Sequence, residues 1–112
     1  MASKQQSADY ILDQLNHLPV RVRRMFGEFA LYCDDKVVGL ICNDNLYLKI
    51  TVVGRDLIGE QAVEAEAYPG SKPYFLLDGD ALENRSWLEQ LIWATAESLP
   101  RPLPKVAKKK IS

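Results

Sequence analysis

Residues 28–51, EFALYC-DD-KVVGLIC-NDN-LYLKIT, decide the fold. Three short runs rich in β-branched, aromatic and aliphatic residues, 28–33, 37–42 and 46–51, are separated only by 34–36, with the connector Asp34-Asp35, and by Asn43-Asp44-Asn45. Asp and Asn tolerate the left-handed backbone of tight turns, so the pattern predicts an antiparallel meander. A two-residue turn at 34–35 pairs Cys33 with Lys36, Leu31 with Val38 and Phe29 with Leu40. A three-residue turn at 43–45 pairs Cys42 with Leu46, Leu40 with Leu48 and Val38 with Ile50. Together these pairings put Phe29, Leu31, Cys33, Val38, Leu40, Cys42, Leu46, Leu48 and Ile50 on one apolar face. Glu28, Ala30, Tyr32, Val37, Gly39, Ile41, Tyr47, Lys49 and Thr51 fall on the other. A slip of one residue would break the agreement.

Upstream, Ala8, Ile11, Leu12, Leu15 and Leu18 recur at helical spacing, with Ser3/Gln6 or Ser7 as start signals and Pro19 as the stop. Residues 20–24 alternate as a half-buried strand does. Downstream, 52–62 predicts a short helix weakened by Gly54 and Gly59. Two short strands, 63–67 and 74–77, flank the turn-rich stretch 68–73. Trp87, Leu88, Leu91, Ile92, Thr95 and Leu99 form the apolar side of a last helix, capped by Asp80 or Asn84 and ended by Pro100. The order α-β-β-β-β-α-β-β-α predicts an α+β fold of two layers, an antiparallel sheet with helices packed on one face. No internal repeat is visible.

A chain of 112 residues with 47% apolar and 26% charged residues is one globular domain, neither disordered nor collagen-like. No apolar run reaches the ~20 residues of a membrane span, and the first seven residues are too polar for a signal peptide. Two cysteines make no disulfide framework, so a cytoplasmic location is expected. The net charge of −1 conceals an asymmetry: residues 1–100 hold nine Lys/Arg against fifteen Asp/Glu, and residues 101–112 hold five basic residues and no acid. The reading is a folded domain over 1–99 and a Pro/Lys-rich basic tail over 100–112.

Enzymatic constellations are thin. His17 is the only histidine, and at a helix end it complements the helix dipole. Cys33 and Cys42 lie too far apart along neighbouring strands to bond, and both point to the apolar face as packing. The aspartates at 34, 35, 44, 78 and 80 fit turn chemistry and lack calcium-loop spacing. No phosphate loop, nucleophile elbow or zinc motif is present. The expected class is therefore a non-enzymatic binding module without metal or cofactor. Two surfaces are candidates. The open sheet face offers Tyr32, Ile41, Tyr47 and Lys49 to a protein partner, around a shallow spot at Gly39. The tail offers Arg101, Lys105, Lys108, Lys109 and Lys110 to nucleic-acid phosphates. A small-molecule ligand is a third reading, and exposed strand edges make a homodimer a candidate.

Through Arg24-Met25-Phe26-Gly27, Leu31-Tyr32, Gly39-Leu40-Ile41 and Leu46-Tyr47-Leu48-Lys49, and on to the helix holding Trp87, the chain resembles the N-terminal domain of the TfoX (Sxy) family. These bacterial proteins are associated with regulation of natural competence. The resemblance spans about residues 22–99 and implies a stand-alone form without the family's helical C-terminal domain. It also implies a secretion-chaperone-like fold, and a part in transcriptional control by protein contacts, with the cyclic-AMP receptor protein as one partner. It carries over no catalytic residue. The motif residues Arg24, Met25, Phe26, Gly27, Gly39, Leu46 and Leu48 are read as mainly structural. Gly27 is expected at a bulge or close approach between two strands, with Met25 and Phe26 straddling the break in alternation.

Overall fold

A computed structural model describes residues 5–100. The three turns of the meander set its geometry. Phe26-Gly27, Asp34-Asp35 and Asn43-Asp44 each form a two-residue connection with both residues at positive φ, between 51° and 82°. Turns of that handedness match the right-handed strand twist and hold the hairpins closed. They join β1 (Val20–Met25), β2 (Glu28–Cys33), β3 (Lys36–Cys42) and β4 (Asn45–Leu48). Helix α2 (Val52–Ile58), capped by the Thr51 side chain on the Gly54 N–H, leads through a single 3-10 turn to β5 (Glu64–Glu66). β6 (Pro73–Leu77) then inserts between β4 and β5, giving six antiparallel strands in the order β1-β2-β3-β4-β6-β5.

The helices cover one face, so the two-layer α+β fold expected from the sequence is the observed one. Helix α1 (Gln5–Gln14) ends a turn earlier than its apolar stripe predicts. His17 therefore lies beyond the helix, with Nδ1 3.7 Å from the Glu89 carboxylate. The last helix is two: α3 (Gly79–Glu83), capped by Asp78, and α4 (Arg85–Ser98), capped by Asn84. Of the start signals for α1, Ser3 lies outside the described residues, and Ser7 sits inside the helix with its hydroxyl donating to Asp44. Two cations from other elements close the helix ends. The Arg85 guanidinium donates to the carbonyls of Asp13 and Gln14, and buried Lys36 donates from Nζ to the Ala96 carbonyl at 2.7 Å. Positive charge at a helix C-terminus also complements the dipole.

The core between the layers joins Ala8, Ile11 and Leu15 with Phe29, Leu31, Cys33, Val38, Ile41, Leu46, Leu48, Phe75 and Leu77, and with Leu88, Leu91 and Ile92 of α4. Each fully buried Leu, Ile or Phe contributes about 1.5–3 kcal/mol by leaving water. The register departs from the expected one at two linked places, within β3 and at the turn after it, which holds residues 43–44 rather than the expected 43–45. Tyr32 pairs with Val37, but Leu31 pairs with Gly39, Ala30 with Leu40 and Phe29 with Ile41, so β3 carries one extra residue, a β-bulge at Val38-Gly39. Because Asn43-Asp44 is a two-residue turn, Ile41 opposes Leu46 and Gly39 opposes Leu48.

The bulge reverses several assignments. Ile41 points into the core and is fully buried, while Leu40 and Cys42 turn to the other face. The two cysteines therefore lie on opposite faces of the sheet. Gly39 is not a shallow spot on the open face: a Cβ there would stand 2.4 Å from the Tyr47 carbonyl oxygen, so the bulge requires glycine for the close approach of two backbones. Gly27 is the second residue of a hairpin turn, not a bulge. The sheet edges are guarded by charge, β1 by Arg21, Arg23 and Arg24 and β5 by Glu64 and Glu66, which discourages pairing with another chain. The boundary at 99/100 and the basic residues Arg101, Lys105, Lys108, Lys109 and Lys110 fall at or beyond the limit of the described residues, the five cations wholly outside it.

Candidate functional site: a polar-ended groove on the open sheet face

The face away from the helices is neither flat nor fully wet. Cys42, Tyr47, Ala67 and Tyr74 are buried there with Leu40, Ala65 and Leu76 packed around them. Residues 67–72 fold back on themselves to complete this cluster. The Ser71 hydroxyl accepts from the Ala67 N–H at 3.0 Å, the Ser71 N–H donates to the Tyr68 carbonyl, and Gly70 takes φ 86°. The loop and the β1–β2 hairpin tip flank a groove of about 730 Å³. Pockets of ~300–1,000 Å³ are those that hold ligand-sized groups. Two smaller clefts, about 210 and 380 Å³, lie against the helices.

The groove has three parts. Its floor is apolar, formed by Val37, Leu40 and Cys42. At one end stand Met25, Phe26 and Glu28; at the other Lys49, Lys72, Tyr68 and Tyr74. The pairing explains the division: Glu28 and Cys42 share the end of the sheet nearest the Phe26-Gly27 turn, whereas Lys49 bonds from its N–H to Val38 toward the opposite end. Electrostatics follow this layout. Burial, and secondarily Glu28, pushes the Cys42 thiol up to about 11. Burial, and secondarily Lys72, holds Lys49 below its usual range. Tyr74 is pushed up by burial first and then by Tyr68 and Cys42, with the Lys72 ammonium 5.7 Å from its ring centre.

Phe26 is the unusual residue. It occupies the first position of a turn that favours Asn or Gly, at φ 51°, and its side chain is 100% exposed. A left-handed backbone costs an ordinary residue about 1–2 kcal/mol, and an aromatic ring in water returns none of it. Strain of this kind clusters where a side chain must be presented.

Of the four residues expected on the partner face, Lys49 lines the groove. Tyr32 is on the open face beside it, half-buried with the Arg21 guanidinium 4.1 Å from its ring centre. Tyr47 is on that face but 92% covered, part of the groove's support. Ile41, expected on that face, is instead fully buried in the core and offers nothing to a partner. Among the motif residues, Leu46 and Leu48 are core and Gly27 and Gly39 shape the backbone. Arg24 spans the Phe29 ring at 4.8 Å and donates to the Gln5 side chain. Met25 and Phe26, read as structural, line the groove instead. Leu40 and Cys42, expected on the core face, line the groove as well, as do Tyr68, Lys72 and Tyr74, which no sequence motif marks as site residues. A Phe-Gly pair between alternating strands, and a Tyr heading a Pro-Gly loop, are the signals that point to two of the walls.

Both thiols are buried and held above their usual range by the same physics. Cys33 is raised to about 11 by burial and Asp34, opposed by Lys36, and is fully covered. A rise of two pH units from 9.0 leaves about 100-fold less thiolate at neutral pH, before access is considered. Alkylation by iodoacetamide at pH 7.5 is therefore expected to be at least ~100-fold slower in the native protein than in urea. Reaction of Cys42 at the unfolded rate would show that its thiol is not held in the cluster with Tyr47, Ala67 and Tyr74. Among the described residues no group of three His, Cys, Asp or Glu side chains is placed to hold a metal ion, and no helix is long and apolar enough to cross a membrane.

These features define a single α+β domain with one helix-covered sheet face and a groove on the other. The chain belongs to the TfoX N-terminal domain family, whose model matches residues 12–99. It is also 41% identical over 111 residues to an uncharacterised 12.7 kDa protein encoded in the trpE 5′ region of Spirochaeta aurantia, covering 98% of this chain and 95% of that one. The TfoX N-terminal family is not a known enzyme family.

Proposed function

We propose that this domain is a non-enzymatic, cytoplasmic regulatory module that holds a protein partner in the groove of its open sheet face. The observation that carries this reading is Phe26, held fully exposed on a strained turn at the lip of a 730 Å³ apolar-floored groove. Folding alone favours Asn or Gly at that position, and an exposed aromatic beside a pocket is the composition of a binding hot spot. Competence or other transcriptional control is the role that the family resemblance suggests for such a module.

The test separates binding from stability. Phe26→Asn relieves the turn and is expected to stabilise the fold by about 1 kcal/mol, raising Tm by roughly 4–8 °C. The same substitution is expected to reduce capture of the partner from cell extract at least tenfold, as is Leu40→Asp on the groove floor. Wild type serves as the reference, with bound proteins identified by mass spectrometry. Undiminished capture by both variants, or no specific capture by the wild type, would sink the reading.

A further inference from the structure

The groove's charges say what kind of segment fits it. We infer that it takes an extended acidic segment of a partner protein, an apolar side chain seated on Leu40 and Cys42 and a neighbouring carboxylate meeting Lys49 and Lys72. This rests on the binding reading above and adds the chemistry of the occupant.

Three observations carry it. The first is a local inversion of charge: residues 1–100 are acidic overall, with fifteen Asp/Glu against nine Lys/Arg, yet two lysines line one end of this groove. Both line the same groove, and Lys72 disfavours the charge on Lys49, a half-buried residue. An incoming carboxylate offsets both costs, which is electrostatic complementarity built in before binding. The second is polarity along the groove. The lining has two cations at the Lys49–Lys72 end and none at the Phe26 end, where Glu28 stands, so a carboxylate of the occupant is drawn to the lysine end and the occupant has one direction. The third is the floor between them, where Val37, Leu40 and Cys42 give an aliphatic surface without a charged group. In an extended chain, side chains two residues apart stand about 6.8 Å apart on one side, so an apolar residue and an acid at i and i+2 address the floor and the lysines together.

A single-stranded nucleic acid would also be anionic, but the site suits it less. Such sites join a stripe of cations to a floor of exposed aromatic planes for base stacking. Here the exposed rings, Phe26 and Tyr68, are on the rims, the floor is aliphatic, and a carboxylate lies in the path.

The test is an NMR titration of the 15N-labelled full chain with three probes. One is the blocked hexapeptide Glu-Leu-Glu-Phe-Glu-Glu, the second has every Glu replaced by Lys, and the third is a ten-nucleotide oligothymidine. The acidic peptide is expected to shift the amides of Leu40, Cys42 and Lys49, and the lysine peptide to leave them in place. Lys49→Gln with Lys72→Gln is expected to weaken the acidic peptide at least tenfold while retaining the wild-type spectrum elsewhere. Equal binding of both peptides, no shift with the acidic one, an undiminished double variant, or tighter binding of oligothymidine at these lysines would each overturn the assignment. If the acidic peptide fails while Leu40→Asp still abolishes partner capture, the groove stands and only the occupant's chemistry falls. If Leu40→Asp leaves capture intact, the binding reading itself falls.

Discussion

Ile41→Asp is expected to unfold the domain, whereas Leu40→Asp, one residue earlier, leaves it folded. Ile41 is fully buried between Phe29 and Leu46. Its replacement removes about 2–3 kcal/mol of apolar burial and leaves a carboxylate among hydrocarbon, at a further cost of several kcal/mol. The total, about 5 kcal/mol or more, approaches the whole stability of a domain this size. Leu40 is half-buried on the open face, where a carboxylate keeps contact with water and costs about 1 kcal/mol. Circular dichroism at 25 °C and thermal melts of the two variants read the difference directly. A folded Ile41→Asp beside an unfolded Leu40→Asp would mean that the strand runs without its bulge and that the groove floor has been assigned to the wrong face.

The second large effect is at Gly39. An alanine Cβ would meet the Tyr47 carbonyl oxygen at 2.4 Å and the Leu48 Cα at 3.1 Å, and both obstacles are backbone in the β3–β4 ladder. Neither can rotate away, so relief means opening the ladder. Gly39→Ala is expected to cost about 3 kcal/mol and lower Tm by roughly 10–20 °C. Gly79→Ala is the control. No atom lies within 4 Å of the added Cβ, φ is not positive, and helix propensity at α3 favours the change, so its Tm is expected to stay level or rise slightly. Equal melting of the two variants would remove the close approach as the reason for glycine in β3.

Those two residues also explain what could be read in advance. The core faces of β2 and β4 are legible as Phe29, Leu31, Cys33 and Leu46, Leu48, because alternation has a period of two. Linking them through β3 demands one extra residue somewhere between Leu31 and Leu46, since a strand joined by two two-residue turns would set the faces at odds. The need for that residue is visible in the pattern; its place is not. A third residue in the turn at 43–45 satisfies the parity as well as a bulge at Val38-Gly39 does. Local energetics favour the bulge: Asn43 and Asp44 accept positive φ cheaply, and Gly39 alone in β3 lacks the Cβ that the approach to Tyr47 forbids. Choosing wrongly exchanges Ile41 for Leu40 and Cys42, and with them two of the three residues of the groove floor.

The groove itself depends on neighbours far apart in the chain. Lys49 and Lys72 belong to segments joined only because β6 inserts beside β4, and Tyr68 reaches the site on a loop closed by Ser71. No periodicity within either segment reveals that meeting. Phe26 was legible as part of a motif but not as an exposed ring, because exposure is a property of the turn that carries it.

By itself, then, the sequence determined the α+β class, the order of elements as far as the last helix, the two hairpins within 28–51 and most of the core, all set by local period, turn chemistry and capping over a few residues. Only the tertiary structure decided where the meander absorbs its extra residue, which side chains face outward after it, and that two lysines meet above an apolar floor. Those outcomes turn on steric contact between backbones and on strand insertion across more than twenty residues, which local spacing does not encode.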